Sequence, residues 1–512
     1  MLAQVLSAAL QGVDSYLVRV EVNVASGLPS FTVVGLPEGA VREGRERVAA
    51  ALRVVNHPLP HRRVTVNLAP ADVRKEGSAF DLPIAVGLLA SAGAVDSRGL
   101  GDTVFVGELG LDGAVRPVRG VVAVAAGARE DGVRRLVVPQ ANAREAAAVS
   151  DVEVFGADSL GQVLAHLNGG PRIPLTRVDA EVLLADRPAA GPDLSDVAGQ
   201  ETAKRALEIA AAGAHNLLFL GPPGSGKTML ARRLPGILPP LSLPEALEVT
   251  KVHSVAGILS GGEGLVRHRP FRAPHHTVSD AGLIGGGTPP KPGEVSLATH
   301  GVLFLDELPE FRRNVLESLR QPLEDRTVTV ARARFSLRFP AAFILVAAMN
   351  PCPCGYYGDG SDRCLCDPGL VSRYRSRVSG PLLDRIDLHV EVPAVPYREL
   401  ARRVETPTSP GVLERVAQCR RAQLDRFESV PGVFSNGQMG PAQIRKWCRP
   451  SPKVARFLQR ALDRSGLSAR AYHRILKVAR TVADLEGAKE ITTHHVGEVL
   501  HYRALDRGAV GE

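Results

Sequence analysis

The sequence predicts an α/β core, preceded by a smaller α/β or α+β domain and followed by an all-helical region. Three observations carry this expectation. A glycine-rich turn, Gly221-Pro222-Pro223-Gly224-Ser225-Gly226-Lys227-Thr228, stands between an apolar run at 216–220 and a helical pattern at 229–234. Two further apolar runs, 301–305 and 343–349, end in polar residues, as buried strands of a parallel sheet do. Residues 411–505 carry helical periodicity, interrupted only by short turns.

A chain of 512 residues suggests about three domains. Hydrophobic residues make up 45% and charged residues 23%, an ordinary globular balance. Aromatics are only 4%, so the cores must be aliphatic. The net charge of +8 permits a polyanionic partner without identifying one. No segment reaches the roughly 18 apolar residues a membrane span needs, and the best candidate, 82–95, is short and rich in small residues. No basic region precedes the first apolar stretch, so a signal peptide is not expected and a cytoplasmic location is. Six cysteines in this length do not make a secreted disulfide scaffold.

In chain order, residues 1–170 alternate strand and helix patterns. Segments 16–22 and 63–67 have period two, 41–55 is an amphipathic helix, and 104–106 and 136–138 are short buried strands. Residues 171–195, punctuated by Pro171, Pro174, Pro188 and Pro192, read as a linker. The nucleotide core is expected over 196–396. A second Pro/Ser/Thr stretch at 405–410 leads to a helical domain over 411–505, with helices at 412–427, 441–445, 452–464, 469–486 and 492–502.

A strand, a glycine-rich turn and a helix are what a phosphate cradle requires: glycines let backbone N–H groups turn inward, and the helix adds its positive end. Lys227 would reach the β- and γ-phosphates of ATP, and Thr228 would hold Mg²⁺. The run at 301–305 ends in Asp306 and Glu307. On a strand next to the cradle, Asp306 would join the Mg²⁺ shell and Glu307 would polarise the attacking water. Asn350 ends the run at 343–349, placed to orient water or touch the γ-phosphate.

Together with Arg385 and Arg470, these segments resemble, in order, the Walker A, Walker B, sensor-1, arginine-finger and sensor-2 elements of AAA+ ATPases. The segments 271–280, 347–355 and 379–389 resemble more narrowly the YifB/ComM family of Mg-chelatase-like ATPases, and the likeness covers essentially the whole chain. The resemblance implies an AAA+ P-loop core with an N-terminal Lon-protease-like domain and a C-terminal helical lid, assembled as a homo-hexamer. It implies that Arg385 is lent to a neighbouring subunit's site and that Arg470 acts from the lid. For the ComM branch it implies an ATP-driven motor that migrates DNA branches during natural transformation. The alternative is a chelatase-type ATPase remodelling a protein partner without acting on DNA. Lon-type proteases use a serine–lysine pair. Here the nucleophile position falls on Ala79 and the lysine position near Val122, with Ser78 one residue out of place, so no peptidase activity is expected.

Three features remain. Cys352, Cys354, Cys364 and Cys366 would make a closed tetrahedral Zn²⁺ site, or else a reduced cysteine-rich loop; Cys419 and Cys448 read as ordinary buried cysteines. His275, His276 and His300 read as loop packing rather than ligands. Residues 325–339 read as a β-hairpin. Its Arg332 and Arg334 would grip DNA phosphates in a ring's pore, or else stand as solvated surface charges. The glycine-rich stretch 282–288 lacks a following Lys-Ser/Thr and is expected as a mobile insert loop.

Overall fold

A computed structural model describes residues 2–37, 39–71, 73, 75, 77–97, 99–185, 191–259, 264–287, 290–332, 335–360, 362–395, 407–465 and 469–503. The N-terminal region is built on a mixed eight-stranded sheet. Its order is Leu175–Thr176, Glu153–Ala157, Arg135–Pro139, Thr103–Phe105, Leu2–Gln11, Asp14–Ala25, Arg63–Ala69 and Ser30–Val34. In Asp14–Ala25 the alternation puts Val18, Val20 and Val22 into the core, as a strand with one buried face requires. The helix Asp81–Ser91 crosses this face. Gly87 allows the close approach, since a Cβ there would sit 2.6 Å from Val22 Cγ2.

The central region is a five-stranded sheet in the order Phe271–Arg272, Val302–Leu305, Ile344–Met349, Leu217–Leu220 and Leu388–Glu391, with every pair parallel. Its inner strands are buried throughout, which explains why they read as unbroken apolar runs. One expectation is corrected here. The strand bearing Asp306 does not lie next to the cradle strand; Ile344–Met349 lies between them. Two interstrand spacings of about 4.8 Å must therefore be bridged by side chains from the carboxyl edge.

Two other stretches are more structured than the sequence suggested. Within 171–195, Leu175–Thr176 extends the N-terminal sheet, and Ala180–Ala185 forms a helix. The cause is apolar anchoring: Ile173 enters the N-terminal core, and Leu183 and Leu184 pack beside Leu241 and Val249. In the glycine-rich insert, Ser279 caps the helix Asp280–Ile284, and Gly285–Gly286 pairs antiparallel with Lys291–Pro292. The pattern at 229–234 splits into Lys227–Ala231 and Leu234–Ile237, because Pro235 begins a new turn.

The C-terminal helices are Ser409–Phe427, Pro441–Trp447, Pro452–Ser465, Ala469–Leu485 and Thr493–His501. The first and fourth pack on Glu201–Gly213 in the largest apolar cluster. Arg420 donates to the Ala211 carbonyl at 3.1 Å and Gln423 to the Ala212 carbonyl at 2.9 Å, satisfying groups that a helix end leaves open. The N-terminal region rests on the helix Leu243–Ala256, where Ser254 bonds Glu145 at 2.9 Å and accepts the Gly120 N–H at 3.1 Å. Thr327–Arg332 and Phe335–Pro340 form the expected hairpin. Among the described residues no helix is long and apolar enough to cross a membrane.

Candidate nucleotide site

The cradle follows Leu217–Leu220 at the carboxyl edge of the parallel sheet. Gly221 must be glycine, since a Cβ would lie 2.1 Å from the Val392 carbonyl oxygen. Gly224 and Gly226 have φ of 77° and 92°, left-handed values that favour glycine, and a Cβ on either would meet nothing within 4 Å. Space is therefore open beside both α-carbons, and their glycines are favoured by backbone conformation rather than by crowding.

Lys227 opens the helix that follows. Its Nζ donates to the carbonyls of Gly221 and Pro222 at 2.7 and 2.8 Å and to Asn350 Oδ1 at 3.2 Å. Burial pulls its ammonium below the usual lysine value, and the nearby Asp306 carboxylate opposes that. Thr228 Oγ1 donates to Asp306 Oδ2 at 2.7 Å. Lys227, Thr228, Asp306 and Asn350 are thus brought together, and this bridge spans the intervening strand. Glu307 is next to them, its N–H donating to Asp306 Oδ1 at 3.0 Å. A threonine hydroxyl beside a carboxylate is a hard-oxygen pair of the kind Mg²⁺ takes while keeping waters and phosphate oxygens as its other ligands. The buried Ser225 hydroxyl has no hydrogen-bond partner among the described residues, so the loop holds a spare polar group as well. The residues fit a Mg²⁺–nucleotide.

The arginines are placed differently. Arg385 donates to the Pro381 carbonyl and pairs with Glu324 of its own chain. Arg470 falls in the first turn of Ala469–Leu485, but its side chain is outside the described set. The side chain of Arg332 and all of Arg334 are also outside it.

The four cysteine sulfurs Cys352, Cys354, Cys364 and Cys366 lie within 4.8 Å of one another. Three of their separations are 3.3, 3.6 and 3.8 Å. A tetrahedral ion with bonds of about 2.3 Å sets its sulfurs about 3.8 Å apart, so the cluster fits zinc. The backbone N–H of Tyr356 draws the Cys354 thiol down to about 6, while Cys364 is pushed up to about 12 and Cys366 is raised as well beside it. The cluster also touches the cradle: a Cβ on Gly355 would sit 2.5 Å from Pro223 Cδ.

Sequence reasoning missed several supporting residues. Gln200 Nε2 bridges the carbonyls of Ser225 and Pro393 at 3.2 and 2.6 Å, tying the cradle to the outer strand. Asn216 donates to the Arg385 carbonyl and accepts from the Leu345 N–H, both at 2.9 Å. Gly199-Gln200 before a helical pattern was the available signal for the first, whereas Asn216 gave none. In the N-terminal region Val122 lies in an apolar cluster and Ser78 bonds Glu108, leaving no base at the expected lysine position.

Three family profiles match in succession. They are "Subunit ChlI of Mg-chelatase" over residues 20–142, "Magnesium chelatase, subunit ChlI" over 193–400, and "Magnesium chelatase, subunit ChlI C-terminal" over 406–503. The chain is 47% identical to competence protein ComM of Haemophilus influenzae, over 99% of this chain and 98% of that protein. It is 44% identical to the uncharacterized protein YifB of Salmonella typhimurium, over 99% and 98% respectively. To the magnesium-chelatase 38 kDa subunit of Rhodobacter capsulatus it is 26% identical, over 60% of this chain and 84% of that subunit. With full-length identity of this order and matched segments that include the nucleotide site just described, the chain belongs to the YifB/ComM family of Mg-chelatase-like proteins.

Proposed function

We propose that the chain is an ATP-hydrolysing motor that works as a homo-hexameric ring on DNA, migrating branched recombination intermediates. The observation that carries the ATPase reading is the joined constellation at the sheet edge: Thr228 on Asp306, and Lys227 on Asn350. Lys227 would release the two loop carbonyls to hold the β- and γ-phosphates. Thr228 and Asp306 would hold Mg²⁺, which supplies charge neutralisation between the phosphates. Glu307 takes a proton from a water whose oxygen bonds the γ-phosphorus. The bond from that phosphorus to the β–γ bridging oxygen breaks, and ADP leaves. Asn350 orients that water, and Arg385 of a neighbouring subunit offsets the developing charge, with Arg470 acting from the helical lid.

The domain reading is an N-terminal Lon-protease-like domain without peptidase function, a linker, the AAA+ core and a C-terminal lid. DNA as the substrate is supported by the basic hairpin bearing Arg332 and Arg334, and by the name of the H. influenzae relative, which ties that protein to competence. Zinc at the four cysteines would be structural, bracing the cradle through Gly355.

The test is a labelled three-strand or four-way DNA junction incubated with the protein and Mg²⁺-ATP. Wild type should resolve the junction while Lys227→Ala does not. ATP hydrolysis without any junction turnover beyond that of Lys227→Ala would refute the DNA reading and favour a chelatase-type role on a protein partner.

A further inference from the structure

We propose that a basic cavity lined by Arg313, Arg373 and Arg377 seats the phosphodiester backbone of single-stranded DNA; this rests on the reading of DNA as the substrate. The cavity has a volume of about 450 Å³, and Glu310, Pro309 and Phe311 share its lining. Three guanidiniums against one carboxylate leave it positive. A guanidinium presents paired N–H donors in a fork that matches two phosphate oxygens.

Two separate stretches of sequence build this charge. Residues 368–383 carry three arginines and no acid, and 311–316 carry Arg312 and Arg313 and no acid. The first stretch is the helix Pro368–Arg375 and the turns after it; the second leads into the helix Arg313–Ser318. Arg312, Arg313, Arg373 and Arg377 are all exposed. Arg377 is held in place: its Nη1 donates to both Glu310 oxygens, at 3.2 and 3.1 Å, and its guanidinium lies 5.7 Å from the Tyr374 ring centroid. Arg313 has Glu317 four residues along its own helix. Arg373 makes no ion pair among the described residues, so its charge is available to a ligand.

The lining suits a phosphate chain better than a whole nucleotide. A base needs an apolar wall, and here Pro309 and Phe311 are both buried, turned mostly into the protein. A phosphodiester chain needs only spaced cations on an open surface. The position also links the cavity to hydrolysis. Pro309 and Glu310 lie in the turn that Glu307 begins. Arg375, on the helix that bears Arg373, donates to the Pro351 carbonyl at 3.1 Å, directly after Asn350. A strand seated here touches both segments that leave the sheet with Glu307 and Asn350, so DNA should stimulate ATP hydrolysis through this cavity.

The test is fluorescence anisotropy of a labelled oligothymidylate with the full-length protein over a salt series. ATPase with and without DNA, the Kd of a fluorescent ATP analogue and sedimentation velocity are read alongside. Combining Arg313→Ala with Arg373→Ala should raise the DNA Kd about tenfold and flatten the slope of log K against log salt by about 1.4, two phosphates at about 0.7 each. Stimulation by DNA should be lost, while DNA-free ATPase and the nucleotide Kd stay within about twofold. Glu310→Gln frees Arg377 and should tighten DNA binding about two- to fivefold. An unchanged DNA Kd and slope, in a wild type that binds DNA, overturns the proposal and leaves the DNA reading standing. An equal loss of nucleotide affinity would assign the cavity to the nucleotide, and a smaller assembly would assign it to a contact between copies; either overturns it. So does competition by inorganic tripolyphosphate as strong as by unlabelled oligothymidylate at equal phosphate, which would make free polyphosphate the ligand. A wild type that binds no DNA removes the DNA reading itself, and the proposal with it.

Discussion

Gly355→Ala tests whether the cysteine loop and the phosphate cradle are mechanically one piece. Gly355 has φ 89°, and its absent Cβ would fall 2.5 Å from Cδ and 2.7 Å from Cγ of Pro223. A methyl group needs about 3.4 Å or more, so Pro223 must retreat by about 1 Å, a displacement that can cost up to about a hundredfold in rate when it reaches a reacting group. The proline ring cannot absorb the shift by rotation, and Pro222, whose carbonyl holds Lys227 Nζ at 2.8 Å, is its neighbour. The left-handed backbone adds about 1–2 kcal/mol of destabilisation for any residue with a Cβ. Gly358→Ala separates the two effects: its φ is 77°, yet a Cβ there meets nothing within 4 Å. Both variants should melt earlier by a similar amount. Only Gly355→Ala should lose kcat/KM for ATP, by ten- to a hundredfold. Equal kcat/KM in the two variants would refute the contact as a route from the cysteine loop to the nucleotide.

Asp306→Asn removes the charged half of the Thr228–Asp306 pair, and should reduce kcat by about a hundredfold or more and raise the Mg²⁺ concentration for half-maximal ATPase. Elemental analysis of protein purified without added metal should find one zinc per chain, lost in Cys364→Ser; sub-stoichiometric zinc in wild type would sink the site. Burial, with Arg503 and Arg474 nearby, pushes the His389 imidazole down to about 3. A depressed histidine value means that the unfolded chain takes the proton first, so stability is present near pH 7 and lost as pH falls through about 6.5. Denaturant titrations should show about 2 kcal/mol lost between pH 7 and pH 5 that His389→Leu does not lose. Thr481→Val leaves His215 Nε2 without its 2.8 Å partner, and should cost about 1–3 kcal/mol in the same assay.

The parts of the fold legible in the sequence were those fixed by local pattern. The apolar runs at 216–220, 301–305 and 343–349 became strands within one or two residues, because a strand buried on both faces leaves no other composition open. The C-terminal helices were legible because their apolar stripes repeat over several turns. Strand order was not, since neighbouring parallel strands are chosen by packing between distant segments. That is why Asp306 was expected one strand nearer the cradle than it lies. The residues missed share a physical character: Gln200 and Asn216 each act by two long-range contacts of one side chain, and a single polar side chain carries no periodicity.

Asn216 shows how much one such residue can join. Its amide receives the N–H of Leu345, at the start of the strand that ends in Asn350, and donates to the carbonyl of Arg385. Its own carbonyl receives the Asp387 N–H at 3.0 Å. The Asp387 carboxylate faces His215 Nδ1 at 2.9 Å, and His215 Nε2 reaches Thr481 on the fourth C-terminal helix. The lysine and arginine charges around Asp387 and its bond from His215 hold its carboxyl well below the usual range despite full burial, so the knot contains a fixed negative charge. Separating any member strands a buried donor, acceptor or charge, at a cost of kilocalories per group. The strand leading to Asn350, the backbone carrying Arg385 and the C-terminal helix bundle are therefore cheaper to move together than apart.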